Sequence, residues 1–411
     1  MQIVISSKGS DINAWRQAGD FGATFRQALL DKAATLTSAE AEALFLGVGE
    51  ELELRAHGHD VALAGIRRLM EEAAATVDPG RLKGVIREFY SACYALFAQT
   101  RSATAFYRIS EEFLHVVAGT LLASAMMRLG LPGDTLPALA LIALGPAGRH
   151  EFSPFCSLQL LLVHGGAELP PAALGQTLHE MCEEAGLRPD NNITPRNPDW
   201  CGTLDQWRQR LVAGLERRES LELIDLLRLA DQAPLFFAGR PAEEFNDICL
   251  PLLRNSRTTL AFLVTRILGL SNGLGIMGGL RLERSGPHRG QFALLDHALL
   301  PLTASITALS LMMGGIAVGT PQRIRELLAG RKLNVEQAER LLDAWHTLNE
   351  LRLAHERDLF PNWDEHASIY LDPESLSDAD RERFREVLEI VAVLQRHVAI
   401  VFSEFEEQAA C

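Results

Sequence analysis

The sequence predicts a mainly α-helical protein with one small α/β domain, and two observations support this fold class. Most of the chain is rich in Ala, Leu, Glu and Arg, with apolar residues recurring at helical spacing. Residues 138–144 and 158–163 are instead short, continuous apolar runs near Gly or Pro, which is typical of buried strands. We therefore expect a helical region at 1–132, an α/β domain at 133–242 and a helical domain at 243–411.

Composition excludes several function classes before any motif is considered. The 53 acidic residues exceed the 39 Lys and Arg residues, which gives a formal net charge of −14. A negative field repels phosphate backbones, so no nucleic acid is expected as a partner. The six cysteines form no Cys-x-x-Cys pair, and such scattered cysteines fit a cytoplasmic protein. Residues 1–11 lack the apolar core of a signal peptide.

One uncharged stretch, residues 298–322, is long enough to span a bilayer. It contains several Gly, Ser and Thr residues, and no Trp, Tyr or Lys flanks it as an interface anchor. We expect a buried helix there and no membrane partner, with a membrane span as the less favoured alternative.

Apolar periodicity and cap residues predict further helices. Amphipathic patterns cover 172–185, 207–229 and 243–270, and a polar loop is expected at 187–202. Three helix starts are indicated by N-cap residues with a suitable partner: Thr320 before Pro321, Asn334 with Gln337, and Ser377 with Asp380.

The segment Leu144–Val163 reads LGPAGRHEFSPFCSLQLLLV. It resembles the signature of the nucleotidyltransferase superfamily that includes DNA polymerase β and the PII-protein uridylyltransferases: Gly-Ser, then Gly-Arg-x-Glu, then Ser-Asp-x-Asp on a strand. In that superfamily the Gly-Ser turn holds a triphosphate on backbone N–H groups. The two strand carboxylates, with a third acid, hold two Mg²⁺ ions. The resemblance implies a DNA polymerase β-like fold with a mixed sheet, flanked by helical regions.

Further pieces resemble a bacterial group of nucleotidyltransferase-like proteins whose helical C-terminal domain is called a substrate-binding domain. They are Asn197-Pro198 with Trp200, Leu229-Ala-Asp231, Leu295–Pro301, Gly319–Arg323 and Leu351–His355. Their order along the chain extends the resemblance over roughly residues 80 to 400.

The departures from the signature concern the residues that do its chemistry. Pro146 replaces the phosphate-binding Ser and has neither an N–H nor a hydroxyl. Ser157 and Gln159 replace both strand aspartates, and neutral side chains cannot hold two Mg²⁺ ions comparably, because hard cations need anionic oxygen. No catalytic or metal-binding residue is therefore assigned. The resemblance leaves these candidate nucleotide contacts: Gly145, Gly148, Arg149, Glu151, Ser157, Gln159 and Asp231.

Three functional hypotheses follow. The first is a non-catalytic nucleotide-sensing or protein-interaction module in bacterial signalling, with another protein as its main partner and no required cofactor. The second is an active protein nucleotidyltransferase, which needs a nucleoside triphosphate and Mg²⁺ and in which Glu151 and Asp231 rebuild the metal site. The third is an assembly scaffold that forms oligomers.

Several individual residues have simple structural roles as alternatives to functional ones. Arg149 and Glu151 either touch a nucleotide or form a local ion pair, and the ion pair is favoured in a degenerate domain. Cys156 is expected to be a buried small side chain, because no His–acid pair indicates a nucleophile. Trp200 and Trp207 are expected to be packing anchors.

Overall fold

The computed structural model describes residues 60–131, 138–165, 170–217, 223–275, 279–365 and 370–410. The elements named below all lie in the compact unit formed by residues 65–411. The expectation of no signal peptide concerns residues 1–11, which lie outside the described residues.

The two helices directly before the sheet in the described residues are α1, Pro79–Thr100, and α2, Ala103–Arg128. Both helices begin with an N-cap side chain. Asp78 accepts a hydrogen bond from the Arg81 N–H, and Ser102 accepts one from the Ala105 N–H. The two helices pack against each other through buried aromatic side chains.

The sheet consists of four strands: β1, Leu139–Leu144; β2, Gln159–His164; β3, Cys201–Gly202; and β4, Gln232–Ala238. Their spatial order is β3-β2-β1-β4, with β1 antiparallel to β2 and β4, and β3 parallel to β2. The sheet is therefore mixed, as the resemblance implied, and the two predicted strands are confirmed. Leu144 pairs with Gln159 on one side and Gln232 on the other, so these side chains share one sheet face.

Helices cover both faces of the sheet. They are α3, Pro171–Glu184; α4, Leu204–Arg217; α5, Leu223–Ala230; and α6, Pro241–Asn255. α2 packs on β4, and α6 packs on β1. Over the range 207–229, where a single helix was predicted, the structure describes α4 and α5, and residues 218–222 lie outside the described residues.

The prediction of a single helix at 243–270 is wrong. It breaks into α6 and α7, Arg257–Leu268, because Ser256 leaves the helical conformation and caps α7 by accepting the Thr259 N–H. The expected domain boundary at 242/243 lies inside α6.

The C-terminal half contains α8, Leu300–Met312; α9, Thr320–Ala329; α10, Val335–Leu359; and α11, Asp378–Ala410. A two-stranded sheet joins β5, Phe292–Ala293, to β6, Tyr370–Leu371. A π-helical turn, Leu295–Leu299, leads into α8. The helical stretch Leu295–Met312 is long and apolar enough to cross a membrane, but most of it is buried inside the fold, as in the core of a soluble protein.

The uncharged stretch 298–322 is therefore a buried helix only up to Met312. Gly314 has φ +71°, a left-handed conformation that ends α8. The capping box of Asn334 and Gln337 is confirmed, and so is the Ser377 cap, which accepts the Asp380 N–H. Thr320 is the first residue of α9, and Gly319 is its N-cap, one residue from the prediction.

Candidate functional site

The signature begins as a single helical turn, Gly145–Gly148, directly after β1. Gly145 has φ +61°, and a Cβ atom there would lie 2.6 Å from the Gln159 side-chain oxygen. Gly148 lies against the end of α5, where a Cβ atom would lie 1.9 Å from the Asp231 carbonyl oxygen. The two glycines therefore allow the turn to touch both β2 and the residue before β4.

The turn lacks two features that would help it to bind a phosphate group. Pro146 supplies no N–H, and the Gln159 side chain lies beside Gly145, with its amide oxygen buried and without a hydrogen-bond partner. Two features of a phosphate cradle, the free N–H and the open space next to the first glycine, are thus missing from this chain.

Where the signature has two strand carboxylates, this chain has two neutral donors that bind a carboxylate from another loop. Ser157 Oγ donates to Asp190 Oδ2 at 3.1 Å, and Gln159 Nε2 donates to the same oxygen at 3.3 Å. Asp190 Oδ1 accepts the Asn192 and Ile193 N–H groups at 2.9 and 3.0 Å. Burial alone would raise the pKa of Asp190, but these four hydrogen bonds lower it below its ordinary value.

Asp190 was not predicted as a site residue. The only signal was its position as an Asp that opens a polar turn, which is common in loops of every kind. Its four hydrogen bonds use the acceptor capacity of a carboxylate, so it does not replace the lost metal ligands.

Arg149 joins the two remaining acids of the signature. Its Nε donates to Glu151 Oε2 at 3.0 Å, and its Nη1 donates to Asp231 Oδ2 at 2.7 Å. Both carboxylates are buried. Burial alone would lower the pKa of Arg149, but the two carboxylates raise it well above its ordinary value. The favoured Arg149–Glu151 ion pair is therefore present, with Asp231 as a second partner.

Helices of the C-terminal half hold the same acids from the other side. Arg323 of α9 donates through Nη1 to Asp231 Oδ1 and also to Thr307 Oγ1, the latter at 2.6 Å. Thr307 of α8 donates to Asp231 at 3.1 Å. Trp345 of α10 donates through Nε1 to Glu151 Oε1 at 2.9 Å. Each acid thus has partners on both sides, and we call these six side chains the arginine–carboxylate network.

A second buried network fixes the rest of the signature loop to α10. Arg352 Nη2 donates to Ser153 Oγ at 2.9 Å and lies 2.8 Å from Cys156 Sγ. Its Nε donates to Glu356 at 2.7 Å, and Glu356 also accepts the Tyr94 hydroxyl at 2.9 Å. Burial and the Glu356 carboxylate raise the pKa of Tyr94 well above its ordinary value.

The chemistry of the two-metal site does not fit these residues. Among the described residues, no group of three or more His, Cys, Asp or Glu side chains is placed to hold a metal ion. Glu151 and Asp231 face guanidinium groups, which already occupy the positions where cations would bind.

Direct contacts bring together six of the seven candidate residues, as a cluster of four and a pair. Gly148, Arg149, Glu151 and Asp231 form one cluster, in which Asp231 lies directly before β4. Gly145 contacts Gln159. Asp190 links Ser157 to Gln159, because it accepts a hydrogen bond from each of their side chains. Residues that sequence reasoning missed as contacts are Asp190, Thr307, Arg323, Trp345, Arg352 and Glu356.

Other residues occupy the simple roles expected of them. Cys156 is buried, and Trp207 donates its Nε1–H to the Leu162 carbonyl of β2, as a packing anchor does. Burial raises the pKa of Cys182 to about 12 and that of Cys201 to about 11, so neither thiol is a ready nucleophile.

Comparison with protein families agrees with this architecture. Residues 87–220, which include the signature, match the family described as putative nucleotidyltransferase DUF294. Residues 257–402, which include Arg323, Trp345 and Arg352, match the family described as a putative nucleotidyltransferase substrate binding domain. No curated protein matches the chain. The two ranges together cover about two thirds of the chain, which therefore belongs to the family that joins a DUF294 nucleotidyltransferase domain to its substrate-binding domain.

Proposed function

We propose that this protein is a non-catalytic member of its family and acts in the cytoplasm as a protein-interaction module in signalling. One observation carries the proposal. The two acids that could rebuild a metal site, Glu151 and Asp231, are the counter-ions of Arg149 and Arg323. Their partners connect the signature loop to α8, α9 and α10, so the network serves as a joint between the sheet and the C-terminal helices.

The free-energy cost of breaking the buried Asp231–Arg323 ion pair favours this structural role over catalysis. Releasing Asp231 to a metal ion would leave Arg323 buried without its counter-charge. Removing one partner from a buried ion pair costs about 3–5 kcal/mol. A catalytic metal would have to supply that energy before it contributed to any reaction.

Sensing of a nucleotide by the signature itself receives less support. Pro146 lacks the N–H that a phosphate would use, and Gln159 fills the space beside Gly145. A protein partner is the better-supported ligand class, because it needs no phosphate cradle and no metal ion.

Pyrophosphate release from each nucleoside triphosphate, measured with and without Mg²⁺, tests the proposal. We expect no Mg²⁺-dependent release in the wild-type protein and no Mg²⁺-dependent nucleotide shift in its melting temperature. The active-transferase alternative requires release that Glu151→Gln or Asp231→Asn abolishes. Such release by folded wild-type protein would refute our proposal.

Two further variants sharpen the assay. Ser157→Asp with Gln159→Asp restores both strand carboxylates of the signature while leaving the arginine–carboxylate network intact. If the network alone blocks metal binding, this double variant also shows no Mg²⁺-dependent release. Asp343→Asn removes an exposed acid in α10 and serves as the control for charge.

A further inference from the structure

A cavity of about 270 Å³ lies between the sheet and the C-terminal helices, apart from the signature loop. β1 and β4 form its floor, α6 and α8 form its sides, and residues 313–319 cover one end. Most of its wall is apolar, including Ile142, Pro234, Leu250, Leu311 and Val318. A partly enclosed, mainly apolar space with a few polar groups is typical of a small-molecule site.

Solvent reaches the cavity past two apolar side chains. Phe237 is 59% exposed and Ile316 is 75% exposed, and both line the cavity. An apolar molecule entering here would remove both from water.

The covering segment 313–319 is already fixed in place. Glu326 accepts the N–H groups of Ile316 and Ala317 at 2.9 and 3.1 Å. Arg323 Nε donates to the Ala317 carbonyl at 2.9 Å. The cavity is therefore formed before a ligand arrives, which reduces the entropy lost on binding.

One buried donor in the lining of the cavity has only a thiol beside it. Gln232 is 7% exposed, and its Nε2 donates to no nitrogen or oxygen atom. The Cys249 thiol interacts with the Gln232 side chain, but burial raises the pKa of this thiol to about 12, so it stays protonated and is a weak acceptor. A buried amide donor with so weak a partner is free to bind a stronger acceptor that a ligand supplies.

The charge balance restricts the ligand further. Arg323 lies at the inner end of the cavity, but Asp231 already neutralises its guanidinium. Glu243 of α6 provides the exposed carboxylate of the lining and is paired with Arg240. Neither a free cation nor a free anion site is present among the described lining residues.

We propose that this cavity binds an uncharged, mainly apolar small molecule of one or two rings that carries a carbonyl or ring-nitrogen acceptor for Gln232. The size follows from comparison with a cavity of about 150 Å³, which holds benzene. The ligand would touch both the sheet and α8, and Thr307 and Arg323 of the arginine–carboxylate network line the same space. The site does not depend on whether the signature is catalytic.

Two probes with the same number of non-hydrogen atoms test the proposal: acetophenone, which has a carbonyl acceptor, and isopropylbenzene, which has none. Each is titrated into the full-length protein, and binding is followed by ligand-observed NMR. One hydrogen bond to a buried donor predicts that acetophenone binds about five- to tenfold more tightly than its lower hydrophobicity alone would give. No saturable binding of acetophenone, or relative affinities that follow the hydrophobicity of the two probes alone, would overturn the proposal.

Three variants assign the binding to this cavity. Gln232→Leu should remove this additional affinity for acetophenone, whereas Gln176→Leu, the same change on an exposed face of α3, should keep it. Val318→Phe fills the cavity and should abolish binding of both probes, and it provides the test if Gln232→Leu does not fold. Unchanged binding by folded Val318→Phe protein would place the probes elsewhere and refute the assignment.

Discussion

The substitution Asp231→Asn tests directly whether this acid is a structural counter-ion. It keeps the size of the side chain and removes its charge. Arg149 retains Glu151, but Arg323 loses its only carboxylate partner among the described residues. The Arg149 side chain is 14% exposed and that of Arg323 is 4% exposed, so water cannot replace the lost charge at the second arginine.

The expected loss of stability follows from this burial. Breaking a buried pair by removing one partner costs about 3–5 kcal/mol, because the remaining charge stays desolvated. Asp343→Asn is the matched control. Its carboxylate lies 2.8 Å from Arg383, close to the 2.7 Å of Asp231 from Arg149, but the side chains are 57% and 50% exposed. Exposed pairs contribute about 0.2–1 kcal/mol.

Urea unfolding of the two variants and the wild type gives the comparison. Tryptophan fluorescence and circular dichroism are followed together, because a chain with more than one domain need not unfold in one step. The midpoint of the transition that includes the sheet should fall far more for Asp231→Asn than for Asp343→Asn. Equal shifts of the urea midpoint for the two variants would refute the role of Asp231 as a structural counter-ion. Adding Arg323→Met to Asp231→Asn should recover part of the loss, because it removes the unpaired charge.

Three further substitutions test other parts of the site. Gly148→Ala places a methyl group on the Asp231 carbonyl and should lower the melting temperature, whereas Gly84→Ala, in open space on α1, should raise stability by up to about 1 kcal/mol. Trp345→Phe removes a hydrogen bond to buried Glu151 and should cost about 1.5–3 kcal/mol in a urea titration. Asp190→Asn should destabilise the protein at neutral pH. Because the folded-state pKa of Asp190 is lowered, its contribution is present above 3.8 and is lost as the pH falls toward that lowered pKa, so the two melting curves should converge in acid.

Local signals in the sequence were sufficient for some elements of the fold. The continuous apolar runs of β1 and β2 and the capping box before α10 predicted these elements correctly. β4 was missed because it contains Pro234, which argues against a strand except at a sheet edge, and β4 is an edge strand. The break between α6 and α7 was missed because the apolar period continues through Ser256.

The site was harder to predict because its partners are distant in sequence. Resemblance pointed to the segments around Arg323 and Arg352, but no local pattern relates them to the signature. Arg323 lies 92 residues from Asp231, and Arg352 lies 196 residues from Cys156. Such pairs are fixed by how the helices pack on the sheet, which periodicity does not encode.

The pattern of matches and departures in the signature now has a physical explanation. The residues that match, Gly145, Gly148, Arg149 and Glu151, make packing and ion-pair contacts in this fold. Three of the residues that differ, Pro146, Ser157 and Gln159, stand at positions whose role in the signature is to hold phosphate or metal. Retaining Gly-Arg-x-Glu therefore follows from the architecture alone, because the loss of any member would leave a clash or an unpaired buried charge. A match confined to these four residues is evidence for the fold, and it carries no information about catalysis.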